Sequence, residues 1–229
     1  MGQLVAETLR LYGDRFWPAI VLGLPLATID QLALGRSRET TAVLLFAAAP
    51  AMTLAYGAAS LLVARRRASW RAWGLALVVG SVVFLPASLL SGFFWLAAVA
   101  WLGFVGLAVP VAMLERRGFV GTMRRGRQLG VADYVHAVGS LATLAIVFFL
   151  GRFGLGFLLR SQGDNTLRTA IFLADLVLSP LLFLGAALLY FDQAARVKSN
   201  SRPRRRSHAD VRAAEHADAA RRPDAEVES

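Results

Sequence analysis

Three ionisable side chains lie inside long apolar runs: Asp30, Arg152 and Asp175. A charge in hydrocarbon costs roughly 2.5–3.5 kcal/mol even on the mildest insertion scale, so each needs a partner or a role. Arg152 stands about seven residues from one end of its run, and Asp175 about seven from the start of the next. At a rise of about 1.5 Å per residue, both sit roughly 10 Å below the same surface. The spacing predicts an Arg152–Asp175 ion pair, with Asp30, near the end of the first run, as a third member of the cluster. Two chemistries are open to it. It can be a structural pair that fixes helix register, or the polar element of a transport or substrate pathway.

No other constellation points to chemistry. The histidines are His136, His208 and His216, and neither a metal-ligand spacing nor a nucleophile motif is present. The absence of cysteine excludes disulfides, thiolate metal sites and a cysteine nucleophile. Gly151, Gly154 and Gly156 have the wrong order for a dinucleotide fingerprint and read as close helix packing, as do Gly103 and Gly106. No catalytic residue, metal or cofactor is expected, and the chain does not read as an enzyme.

The elements that position these charges follow from composition. Of 229 residues, 56% are hydrophobic and only 17% charged, too oily for an ordinary soluble domain. A bilayer core needs about 20 apolar residues per helix. Six runs qualify: 16–34, 41–64, 72–90, 93–114, 135–159 and 169–191. The stretch 72–114 would be about 64 Å long as one helix, so a hairpin at Ser91-Gly92 divides it. The first run is too long for a signal-peptide core of ~7–15 residues and has no small-residue cleavage site, so it reads as a retained span. The fold class is an all-α polytopic membrane helix bundle, occupying 16–194.

The net charge of +10 is directional. Twenty of the 25 basic residues fall on one side of the spans, in the N-terminal segment, the second and fourth connections and the tail. The other side holds Arg36, Arg38, Arg152, Arg160 and Arg168. By the positive-inside rule both termini are cytoplasmic, and the Arg-, Ala- and Gly-rich composition points to a bacterial inner membrane. Two segments on that side, 1–15 and 118–130, read as interfacial amphipathic helices, the second with Phe119, Met123 and Gly126 sharing a face. Arg10 and Gly13 before Trp17 match Arg127 and Gly130 before Tyr134, a faint internal repeat. Trp17, Trp70, Trp73, Tyr134 and Tyr190 read as an inner aromatic belt.

From 195 to 229 the chain has few large apolar residues and runs from basic to acidic, which predicts a disordered tail, in which Ser207 and Asp210 could cap a short, marginal helix over Val211–Ala220. Arg124, Arg125, Arg127, Arg202, Arg204, Arg205 and Arg206 are candidate contacts for anionic lipid head groups. The tail lacks interleaved aromatics, so nucleic acid is not an expected partner. The bilayer is, and a membrane-protein partner or a second copy stays open. Six prolines lie in the spans, Pro18, Pro25, Pro50, Pro86, Pro110 and Pro180. Such prolines are common in membrane helices and also mark the broken helices of transporters.

Three stretches carry a resemblance: residues 7–17 (ETLRLYGDRFW), 114–130 (LERRGFVGTMRRGRQLG) and 187–192 (ALLYFD). They resemble the membrane domain that accompanies some bacterial glycerophosphodiester phosphodiesterases and also occurs alone. Arg127-Gln-Leu-Gly130 is one residue shorter than that domain's Arg-x-x-x-Gly. The resemblance implies a six-span, non-catalytic domain without the phosphodiesterase. The expected function is a non-enzymatic scaffold or accessory domain, and the alternative is a small transporter or lipid-handling permease. A dry bundle with a lateral apolar groove or partner surface fits the first, and a water-accessible cavity lined by the intramembrane charges fits the second.

Overall fold

The computed structural model describes residues 2–115, 117–159, 161 and 163–221, with the side chains of 92, 93, 164 and 200–221 outside that description. All regular structure among the described residues is helical. In hydrocarbon each backbone N–H and C=O must be satisfied within its own segment, and helices do this. A compact unit covers Met1–Gln193, and a second unit begins at Ala194.

Helix α1 (Gly2–Asp14) leads into α2 (Phe16–Ile20), a 3₁₀ turn (Val21–Gly23) and α3 (Leu24–Ala33). Helices α4 (Arg38–Ala47), α5 (Ala49–Ala64), α6 (Trp70–Phe93), α7 (Trp95–Val105) and α8 (Ala108–Leu114) follow. The chain continues through α9 (Phe119–Ala132), α10 (Tyr134–Leu158) and α11 (Asp164–Arg221). Side-chain caps start three of them. Ser37 accepts from the Thr40 N–H, Ser69 from the Ala72 N–H and Asp133 from the His136 N–H.

Among the described residues five segments are long and apolar enough to cross a membrane: Phe16–Ala33, Trp70–Ser91, Trp95–Leu114, Tyr134–Leu158 and Asn165–Ser199. The sixth expected span is a bent pair, α4 and α5, meeting at 54°. Proline explains that bend and two further breaks. Proline has no N–H, so the carbonyl four residues earlier loses its helical donor. Each orphaned carbonyl finds a tighter one. Pro50 frees Phe46, whose carbonyl accepts from Ala48; Pro25 frees Val21, which accepts from Leu24; Pro110 frees Gly106, which accepts from Val109. These breaks divide spans one, two and four. The turn expected at Ser91-Gly92 falls two residues later, at the extended residue Phe94.

The core is built from small residues. Ala55 and Ala59 of α5, Ala76 and Val79 of α6, Ala108 and Ala112 of α8, and Leu184 and Ala187 of α11 are buried together. Lipid tails are as apolar as any side chain, so helices associate through close packing. Thr53 of α5 lies so close to Gly80 that a Cβ there would collide with it. α10 borders the bundle, with Leu150 and Phe153 exposed on its outer face.

Several sequence expectations change. α9 buries Thr122, Gly126, Leu129 and Gly130, while Phe119 is exposed. Its seam is the glycine face, because Gly126 and Gly130 let it settle on the backbone of α8 and α7. α1 buries Leu4, Thr8 and Tyr12. Val5, Thr8 and Leu9 enclose a small space with Leu144, Val147, Phe148, Leu178 and Leu181, so α1 lies beside the mid-length of two spans. Gly151 packs against Leu178, but Gly154 and Gly156 face open space. Trp17 and Trp70 are exposed as a belt requires, whereas Tyr190 is buried. The expected disordered tail is helical backbone through Arg221. Alanine and arginine, both strong helix formers, dominate that stretch. Asp224, Glu226 and Glu228, its acidic end, lie outside the described residues.

A Cβ on Gly126 would stand 2.6 Å from the Ala108 Cα, whereas one on Gly154 meets nothing. Gly126→Ala is therefore expected to destabilise the folded chain by about 1–3 kcal/mol, and Gly154→Ala to leave it unchanged. Denaturant unfolding of both variants in one detergent checks this.

Candidate intramembrane site

The site begins with two glycines and a serine. In α10, Gly151 admits the Leu178 side chain of α11, since a Cβ there would lie 2.8 Å from Leu178 Cδ1. In the 3₁₀ turn, Gly23 lies directly against the Leu176 carbonyl of α11. Pro180 deprives that carbonyl of its helical donor, four residues on. The Ser179 hydroxyl bridges the two segments, donating to the Asp175 carbonyl and, at 3.3 Å, to the Gly23 carbonyl. The first, fifth and sixth spans thus converge at one level.

Three charges meet there. The Arg152 guanidinium donates to Asp30 Oδ2 and lies 3.7 Å from Asp175 Oδ1. The Asp175 side chain is 0% exposed, against 24% for Arg152. Among the described residues, Asp175 meets Arg152 as an ion pair without a close hydrogen bond from the guanidinium. All three sequence-predicted residues come together. The sequence pattern anticipates Arg152–Asp175 as the primary pair, but Asp30 makes the direct hydrogen bond. Two carboxyls face one guanidinium, a mismatched set in a medium where charge is expensive.

The cluster borders a cavity. A space of about 300 Å³ is lined by residues of every span, among them Leu26, Met52, Phe84, Trp95 and Phe148, with Asp30 and Arg152 in its wall. Leu45 and Met52 flank the α4–α5 bend and both line it, so the broken helix opens onto the cavity. A second cavity of about 440 Å³, bordered by Arg36 and Arg38, shares Leu45, Ser91 and Trp95 with the first. The two spaces are therefore neighbours, separated by these three side chains. Among the described residues no group of His, Asp and Glu could hold a metal ion.

A second polar cluster lies at the opposite end and was not anticipated as a site. Glu115, between α8 and α9, receives Arg117 at 2.6 Å, Arg125 at 3.5 Å and the Tyr190 hydroxyl at 3.0 Å. Its signal in the sequence is a lone acid that ends an apolar span and is followed at once by arginines. Nearby, His136 Nε2 lies 3.0 Å from Asp192, and Gln193 donates to the Asp133 carbonyl, tying α11 to the start of α10.

Of the expected lipid-contact arginines, Arg125 is half-buried against Glu115, while Arg124 and Arg127 are exposed, Arg127 lying over the Phe104 ring at 5.4 Å. The side chains of Arg202, Arg204, Arg205 and Arg206 lie outside the described residues.

Fold and site together define a multi-pass α-helical membrane protein with an intramembrane charge cluster. No protein family, curated protein or solved structure matches the chain.

Removing one member of a buried ion pair strands its partners, at a cost of about 3–5 kcal/mol. Arg152→Ala is expected to destabilise by that amount. Neutralising all three, with Asp30→Asn, Arg152→Gln and Asp175→Asn, is expected to return stability to within about 1–2 kcal/mol of the parent. Equilibrium unfolding in mixed micelles distinguishes the two.

Proposed function

We propose that this chain is a non-enzymatic lipid-handling protein of the bacterial inner membrane, with both termini in the cytoplasm. It binds one amphiphile, whose apolar chain occupies the cavity among the six spans and whose polar head meets Asp30 and Arg152. The observation that carries the reading is the shape of that space: apolar walls from every span, with a carboxyl and a guanidinium at one border. Pockets for small ligands are built this way, mostly apolar with a few placed polar groups. A scaffold also accommodates an apolar groove, and it is the carboxyl and guanidinium at the border of this one that support the lipid-handling reading over it. The bend at the cavity wall adds support, since broken helices recur where transporters hold their substrates. The 20-to-5 division of basic residues supports the orientation.

Ala145 lines the cavity, where a larger side chain fills space without touching the charges. Purified from native membranes, the parent chain is expected to carry a lipid species in near-stoichiometric amount by native mass spectrometry. Ala145→Phe is expected to lose it, and Asp30→Asn with Arg152→Gln to change the headgroup class retained. Identical lipid content in all three proteins would refute the proposal.

A further inference from the structure

The end of the bundle that carries Glu115 holds a feature the intramembrane site does not use. A cavity of about 670 Å³ lies between the α5–α6 connection and the end of α8. Its ionisable lining is Arg66, Arg67, Arg71 and Arg117 against the single acid Glu115. Glu115 is already engaged by Arg117, Arg125 and Tyr190. Among the described residues no carboxylate lies within ion-pair distance of Arg66, Arg67 or Arg71, and all three are exposed.

The backbone sets this arrangement. α5 ends at Arg65, whose φ of 52° is left-handed, a conformation usually left to glycine. The chain turns there, and the Arg66 N–H bonds back to the Leu61 carbonyl at 3.2 Å. Extended residues then lead to Ser69, which caps α6. Ser69 and Ala72 line the cavity, so the first turn of a 24-residue helix, with its partial positive charge, adds to the guanidinium field. Arg71 lies over the Trp70 ring at 5.5 Å, which fixes its direction. Leu75, Met113 and Leu114 supply an apolar floor.

Positive-inside topology accounts for arginines in this connection, but any spread of them along the loops would satisfy it. It does not require them to border one concavity around a capped helix start. Guanidinium groups recognise phosphate through paired, charge-assisted hydrogen bonds, and a helix N-terminus adds backbone donors. We propose that this cavity binds a phosphate-bearing anion, with Arg66, Arg67 and Arg71 as its principal ligands. The same chemistry is offered by the headgroup of an acidic phospholipid and by a soluble phosphate compound. The inference stands on residues apart from Asp30, Arg152 and Asp175, so it survives or fails independently of the intramembrane binding reading.

The test uses the full chain in detergent, titrated separately with phosphatidylglycerol, phosphatidylcholine and inorganic pyrophosphate and read by native mass spectrometry. Arg66→Gln with Arg67→Gln is compared with Arg10→Gln with Arg168→Gln, an exposed pair that removes the same charge outside the cavity. Phosphatidylglycerol is expected to bind in preference to phosphatidylcholine, and the cavity pair to weaken it about tenfold while the control pair does not. The same pattern for pyrophosphate alone supports the site with a soluble ligand. Equal weakening by both pairs, or no preference of the parent chain for either anion, overturns the proposal. Circular dichroism melting of each pair separates loss of binding from loss of fold. A cavity pair that melts well below the control pair moves the test to Arg71→Gln alone, which then decides by the same criteria. Ala145→Phe should leave this binding intact, which separates it from the intramembrane cavity.

Discussion

The cost of charge in hydrocarbon governs this molecule. Arg152 is acceptable at its depth because Asp30 and Asp175 meet it from two other spans. That contact needs the spans to approach closely, which explains why Gly23 and Gly151 stand where they do. Ser179 adds a bridge at the same level. Buried ion pairs often contribute little net stability, because desolvation offsets attraction. Their value here is register: only one vertical setting of α3, α10 and α11 brings the three charges together.

The prolines give the same region its shape. A continuous helix packed on its neighbours leaves little space, whereas a bent one leaves a gap at the bend. The α4–α5 bend opens beside Leu45 and Met52, and the cavity lies there with Asp30 and Arg152 at its edge. Read from sequence, the prolines fit the ordinary frequency of proline in membrane spans. In the structure three of them interrupt spans, and each freed carbonyl is satisfied by a tighter turn. The interruptions cost little backbone hydrogen bonding, and the α4–α5 bend borders the intramembrane cavity.

Much of this was legible in the residues, and the reasons are physical. Hydropathy over about 20 residues is a strong signal because the bilayer has a fixed thickness, and each expected run overlaps a long apolar helix or, for the second, the bent α4–α5 pair. That Arg152 and Asp175 share a level followed from helical rise alone. What sequence could not supply was lateral geometry. Asp30 as the closest partner, Glu115 as the hub for Arg117, Arg125 and Tyr190, and the seating of α9 through Gly126 depend on which faces meet. Of the face expected on α9, Gly126 is buried and Met123 packs on the core, but Phe119 is exposed, because close backbone approach at Gly126 and Gly130 sets the seam.

The central claim is that Asp30 and Arg152 are energetically joined across the bundle. A double-mutant cycle on Asp30→Asn and Arg152→Gln, measured by reversible unfolding in bicelles, tests it most directly. The account predicts a coupling of about 1.5 kcal/mol or more between the two sites. Additive effects, with coupling below roughly 0.5 kcal/mol, would contradict it.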